Sequence, residues 1–165
     1  MAKPFRTGMF AGKFMPYHRG HLYCLETASL MCDTVYQILM ANCVEEEQIM
    51  KALPPTEQLA LSPERRYARM QAAGKRLGNV RTFYMDIFDC RTPAGEEDWD
   101  AETPLVLRAC GHFDAVFGSE PSYTEYFRRA YPWAVYLQVD PPRIHYPISG
   151  TCIRTSWKEL SRWRV

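Results

Sequence analysis

No two of the six cysteines stand at C-x-x-C spacing: Cys24, Cys32, Cys43, Cys90, Cys110 and Cys152 fall irregularly along the chain. That excludes a zinc knuckle and a small disulfide framework, and it reads as reduced, mostly buried thiols of a cytoplasmic protein. No apolar run approaches the roughly 20 residues of a membrane span. The N-terminal Met-Ala-Lys-Pro-Phe-Arg-Thr-Gly lacks the long apolar stretch of a secretory signal. Neither sign of charge dominates, with 20 basic and 19 acidic residues and a net charge of +1. A general nucleic-acid coat needs a large basic excess, so none is expected, whereas a small anion held by a few local charges stays open. There is no internal repeat, no low-complexity tract and no G-x-G-x-x-G. What is present suffices for one domain with a full core: 165 residues, 47% apolar and 24% charged.

Short apolar runs alternate with helical patterns. Strands are expected over residues 7–11, 34–41, 80–85, 114–117 and 133–139, and helices over 20–32, 62–77, 99–110 and 122–130. Asp33 reads as a break after the first helix. Ser62 and Pro63 form a good start for the second helix, and Gly78 a stop. Residues 42–62, acidic at Glu45, Glu46 and Glu47 and interrupted by Pro54-Pro55, read as mostly loop, as do 86–102. The tail from Ile148 turns into a final helix. The alternation implies a Rossmann-like, doubly wound parallel sheet in a single α/β domain, with ligands bound beyond the carboxyl ends of the strands.

Two motifs carry chemistry. Gly12-Lys13-Phe14-Met15-Pro16-Tyr17-His18-Arg19-Gly20-His21 follows the first strand and places two imidazoles, a glycine backbone and a helix N-terminus around one point, which suits phosphate. It is no Walker loop: Gly8 to Lys13 is one residue short, and Phe14 stands where Ser or Thr would hold magnesium. Alone, H-x-x-H reads rather as a pair of surface or half-buried histidines, or as half a metal site. Near the C-terminus, Ile148-Ser149-Gly150-Thr151-Cys152-Ile153-Arg154 sets hydroxyls at a helix start and a guanidinium three residues on, on the same face. Alone, that is an ordinary helix cap. Arg65 and Arg66 open a helix, where one meets a phosphate or both are solvated. His112, His145, Trp133 and Tyr136 read as structural, as do Trp157 and Trp163 on the tail.

Taken together, H-x-G-H after strand one and I-S-x-T-x-I-R at the end resemble the nucleotidyltransferase superfamily. Gly12-Lys13-Phe14 with Pro16, Ser62-Pro63-Glu64-Arg65-Arg66, Trp99 after an acidic loop, Ser119-Glu120-Pro121 and Val139-Asp140-Pro141 make the chain similar to NadR-type nicotinamide mononucleotide (NMN) adenylyltransferases over nearly its whole length. The resemblance implies adenylyl transfer from ATP to NMN, giving NAD and pyrophosphate by direct in-line displacement. His18, His21, Lys13 and Arg154 would be catalytic. Gly12, Phe14, Gly20, Gly118, Ser119, Ser149 and Thr151 would bind ATP. Mg²⁺ is expected on the ATP phosphates, with no metal held by protein ligands. No kinase or DNA-binding domain is expected, and the oligomeric state, a homo-oligomer included, stays open. Another acceptor (nicotinate mononucleotide or phosphopantetheine), CTP as donor, or a non-catalytic nucleotide sensor are the alternatives.

The acceptor draws on one more segment. Asp86, Asp89, Glu96, Glu97, Asp98, Asp100 and Glu102 stand against a lone Arg91, with Trp99 among them. An acidic surround favours the pyridinium of NMN and opposes the extra carboxylate of its nicotinate analogue, and an indole face can stack on the ring. Trp99, Asp86 and Asp89 are therefore the expected NMN-binding residues.

Overall fold

The computed structural model describes residues 2–156 and 165. Trp157 and Trp163 lie outside the described residues. Five strands form one parallel sheet: β1 (Phe5–Gly12), β2 (Cys32–Ala41), β3 (Val80–Asp86), β4 (Ala115–Gly118) and β5 (Val135–Gln138), in the order β3-β2-β1-β4-β5. The chain winds outward from β1 to β3 on one side, then crosses back to β4 and β5 on the other. A crevice therefore opens between the carboxyl ends of β1 and β4, at Gly12 and Gly118. In such sheets the reversal point is where ligands sit.

The central strands are apolar on both faces, as a sheet covered on both sides requires. Phe10, Leu39 and Phe117 face α1 (Arg19–Met31) and α4 (Pro63–Leu77), packing on Leu25, Ala28, Met70 and Ala73. Their sequence neighbours Met9, Ile38 and Val116 point to the opposite face, toward Val106 and Cys110 of α5 (Trp99–Cys110) and Phe127 of α6 (Thr124–Ala130). All six cysteines are free thiols, and only Cys152 is exposed.

The second expected helix forms as read. Ser62 caps α4, Pro63 opens it and Gly78 ends it at φ +79°. Three expectations change. Residues 42–62 hold two helices, α2 (Val44–Ala52) and α3 (Pro55–Ala60), rather than loop. The acids Glu45, Glu46 and Glu47 occupy the first turn of α2 and Lys51 its last, matching the helix dipole, and Pro55 takes the first position of α3, where proline is tolerated. Asp33 is no break, because β2 starts directly at Cys32. The fifth strand shrinks to Val135–Gln138 and leaves out Trp133, whose indole stacks on His112 and donates to the Phe113 carbonyl. A 3₁₀ turn (Pro121–Tyr123) precedes α6, and α7 (Gly150–Thr155) is the final described helix.

Candidate active site

The H-x-G-H segment is first of all a helix cap. His18 is the N-cap of α1, and its Nδ1 accepts the Gly20 N–H at 3.1 Å; His21 reaches back so that its Nδ1 accepts the His18 N–H at 3.3 Å. The two rings stack with centroids 3.7 Å apart. With both Nδ1 atoms accepting, the neutral rings carry their protons on Nε2. Burial, reinforced by the charge of Arg143, lowers His18 to about 4. Burial, with His18 and Arg143, holds His21 well below the usual range. At neutral pH both are therefore uncharged Nε2–H donors. A Cβ at Gly20 would stand 3.0 Å from the His18 ring, so glycine here lets the ring close over the helix start without shifting. Phe14, buried and at φ +53°, supports the pair with its ring edge-on to His21 at 4.9 Å.

The far end of the chain closes on this segment. Ser149 caps α7 by accepting the Cys152 N–H at 3.1 Å. Arg154 donates to the Met15 carbonyl at 2.6 Å and to the Thr151 hydroxyl at 3.2 Å. A Cβ on Gly150 would lie 2.7 Å from the Met15 carbonyl oxygen, so only glycine permits this approach. The two motifs, well over a hundred residues apart in sequence, thus touch through Met15. Gly118 and Ser119, at the end of β4, border the same crevice.

A cavity of about 380 Å³ occupies the crevice, and cationic, acidic, hydroxyl and aromatic side chains line it. One end carries His18, His21, Arg143, Arg154, Ser149 and Thr151; the other carries Glu97, Trp99, Glu102, Tyr123 and Tyr126. Lys13, with Gly12 and Phe14 beside it, stands between the ends. Its ammonium pairs with Glu45 and lies 3.8 Å from Glu97, so its charge is already answered. Trp99 donates its indole N–H to Glu97 at 3.2 Å and sits edge-to-face against Tyr123 and Tyr126, with centroids 5.3 and 5.2 Å away. Glu102 is buried, and its Oε1 has no hydrogen-bond partner among the described residues.

Of the expected site residues, only Asp86 and Asp89 are not brought to the cavity. Both are exposed, and Asp86 instead accepts from the Asn42 side chain and the Phe88 N–H. Asp98 caps α5 and Asp100 pairs with Arg129. Arg91 is not alone, since it pairs with Glu47. Arg66 meets neither phosphate nor solvent. Its wholly buried guanidinium bonds Glu46 at 2.5 Å, the Leu61 carbonyl at 2.7 Å and the Lys13 carbonyl at 2.5 Å, and so fixes the loop that carries Lys13. The sequence reading missed Arg143, which pairs with Glu120 and donates to the Ile148 carbonyl at 2.7 Å. Its only signal was a cation just after Asp140-Pro141-Pro142. Among the described residues no helix is long and apolar enough to cross a membrane.

No family model matches the chain. Its fold is that of solved nucleotide adenylyltransferases. A bifunctional NMN adenylyltransferase/ADP ribose pyrophosphatase from Francisella tularensis matches with a TM-score of 0.63 at 20% identity, over 93% of this chain and 42% of that one. A NadR protein in complex with NR matches at 0.62 and 20%, over 96% and 43%. A putative nicotinate-nucleotide adenylyltransferase from Vibrio parahaemolyticus matches at 0.52 and 16%, over 98% and 93%. The chain spans less than half the length of the first two. At these identities the likeness fixes the architecture: a five-stranded parallel α/β sheet of nucleotidyltransferase type.

Proposed function

We propose that this chain transfers an adenylyl group from ATP to nicotinamide mononucleotide, forming NAD and pyrophosphate. The observation that carries the reading is the stacked His18–His21 pair, neutral and with both Nδ1 atoms tied to backbone N–H groups, lining one cavity together with Arg154 and Arg143. The solved structures of similar fold include enzymes named for this reaction and a NadR protein in complex with NAD and AMP-PNP.

In the proposed reaction a phosphate oxygen of NMN attacks the α-phosphorus of ATP. The bond from that phosphorus to the α–β bridging oxygen breaks, and pyrophosphate carries the electron pair away. Such a displacement asks the protein for position and charge stabilisation, not for a covalent nucleophile. The Nε2–H groups of His18 and His21 would donate to the α-phosphate oxygens as charge builds there, from positions that need no rearrangement. Arg154, with Ser149 and Thr151, would hold the β- and γ-phosphates. Gly118 and Ser119 would lie along the adenosine. Lys13 would leave its carboxylates for the triphosphate when ATP enters.

The donor set suits a cation delivered on the nucleotide. The carboxylates nearest the phosphate end, Glu45 and Glu120, are already paired with Lys13 and Arg143. Mg²⁺ on the phosphate oxygens would supply neutralisation of the departing pyrophosphate. The test is to incubate the purified chain with Mg²⁺, each nucleoside triphosphate in turn and a panel of phosphorylated acceptors, then identify the product by mass. NAD from ATP and NMN is expected; a different product, or none, overturns the reading.

A further inference from the structure

Among the described carboxylates lining the cavity, Glu102 alone has no hydrogen-bond or ion-pair partner among the described residues. Glu45 and Glu120 are in ion pairs, Glu97 accepts the Trp99 indole N–H, and Asp140 accepts the Ile144, His145 and Tyr146 N–H groups. Glu102 is 8% exposed, and its Oε1 finds no donor among the described residues. A buried carboxyl oxygen left unsatisfied costs stability, so its presence in a cavity wall calls for a ligand group that completes it. Its neighbours limit what that group can be. Trp99, Tyr123 and Tyr126 make the surrounding wall aromatic, which fits a flat ring. Glu97 adds a second carboxylate close by, which favours a cation over an anion.

We propose that Glu102 is the specificity-determining residue for the ring substituent: a turn about its soft terminal torsion presents a carboxyl oxygen to an N–H of a pyridinium carboxamide, and that oxygen, when ionised, turns away the corresponding carboxylate. This rests on the adenylyl-transfer reading and adds to it the chemistry of the acceptor. The groups facing Glu102 are Glu97 and Asp98 before α5, Lys13 after β1, Cys90, and Tyr126 and Tyr131 from the α6 side. Burial first, then Glu97, pushes the empty-cavity Glu102 carboxyl up to about 8. A cationic ring that donates an N–H favours the ionised carboxylate over the neutral acid, so its arrival expels a proton below pH 8. A carboxylate ligand needs the protonated acid and expels none.

Calorimetry of wild-type protein with NMN, in buffers of different ionisation enthalpy, reads this directly. Proton release is expected at pH 7.5, with NMN affinity rising about tenfold from pH 7 to 9 as the ionised fraction grows. Affinity for nicotinate mononucleotide is expected to fall over the same range. Glu102→Gln, which keeps an acceptor and gains a donor, should abolish the proton release and shrink the amide-to-acid affinity ratio at least about tenfold. NMN's own phosphate titrates alike with both proteins, so it cancels in the comparison. The wild-type measurement stands if the variant does not fold. NMN binding without proton release, or an unchanged ratio in Glu102→Gln, overturns the assignment. NAD formation is scored in the same samples: NAD without the proton signature removes only Glu102, the signature without NAD removes only the proposed reaction, and no NMN binding removes both.

Discussion

His18 and His21 cap α1 with one ring nitrogen each and keep the other as a donor toward the cavity. Stability and chemistry are therefore coupled at these residues and must be measured separately. His21→Ala is expected to lower kcat roughly 10²- to 10³-fold, the scale of losing one oxyanion-type donor. Loss of its capping bond should add about 1 kcal/mol of destabilisation in urea titrations. Near-normal turnover together with that destabilisation would reduce the pair to a cap. Arg154 makes two directed bonds, at 2.6 and 3.2 Å, that a lysine cannot reproduce. Arg154→Lys should therefore stay below wild-type activity, and Arg154→Ala should raise the KM for ATP more than that for NMN; equal effects would place Arg154 at the wrong end of the cavity. Trp99→Ala should raise the KM for NMN about tenfold if its face carries the ring. Lost stability with an unchanged KM would leave Trp99 as packing alone.

At the scale of elements, the site depends on a buried ion pair that touches no proposed substrate. Arg66 of α4 joins Glu46 of α2 to the Lys13 carbonyl after β1. Arg66→Ala leaves Glu46 buried without its counter-charge and should destabilise the fold by about 3–5 kcal/mol. A urea midpoint close to wild type would show that the loop is held by other contacts. This arrangement also shows which parts of the structure were legible in sequence. The helix Pro63–Leu77 was, because its cap, its first-position proline and its terminal glycine are all local signals. The two motifs were legible because each sits at a helix start next to its own glycine. Residues 42–62 were not, since an acidic run and a proline pair suit a loop as well as two short helices, and only packing decides. Nor could composition tell which carboxylates of residues 86–102 turn inward. Glu97 and Glu102 do while Asp86 and Asp89 do not, a choice made by how the loop between β3 and α5 packs. Arg143 was hidden because its approach to His18 depends on how the loop after β5 folds back.

For the whole molecule, the buried groups of the cavity shape the pH dependence of folding. His18, lowered to about 4, and His21, also lowered, bind protons more readily when unfolded, so stability drops as pH falls below about 6.5. Glu102, pushed up to about 8, holds its proton more tightly when folded, so stability also drops as pH rises from about 4.5 toward 8. Below pH 6.5 the two histidines outweigh the single acid, and above it the acid outweighs the fading contribution of the histidines. These groups together place the maximum near pH 6.5 and predict a net decline of about 1 kcal/mol by pH 8, which Glu102→Gln should remove. Denaturant titrations across pH 4 to 9 measure it, and a flat profile from 6.5 to 8 would contradict the burial of an unpaired acid.

The two motifs meet at one crevice where the order β3-β2-β1-β4-β5 reverses, and the central claim is that adenylyl transfer happens there. The most direct measurement uses ATP labelled at the α-phosphorus, incubated with NMN, Mg²⁺ and the purified protein. The account predicts that all transferred label appears in NAD and none in the released pyrophosphate. Label in inorganic products alone, or no dinucleotide at all, would contradict it.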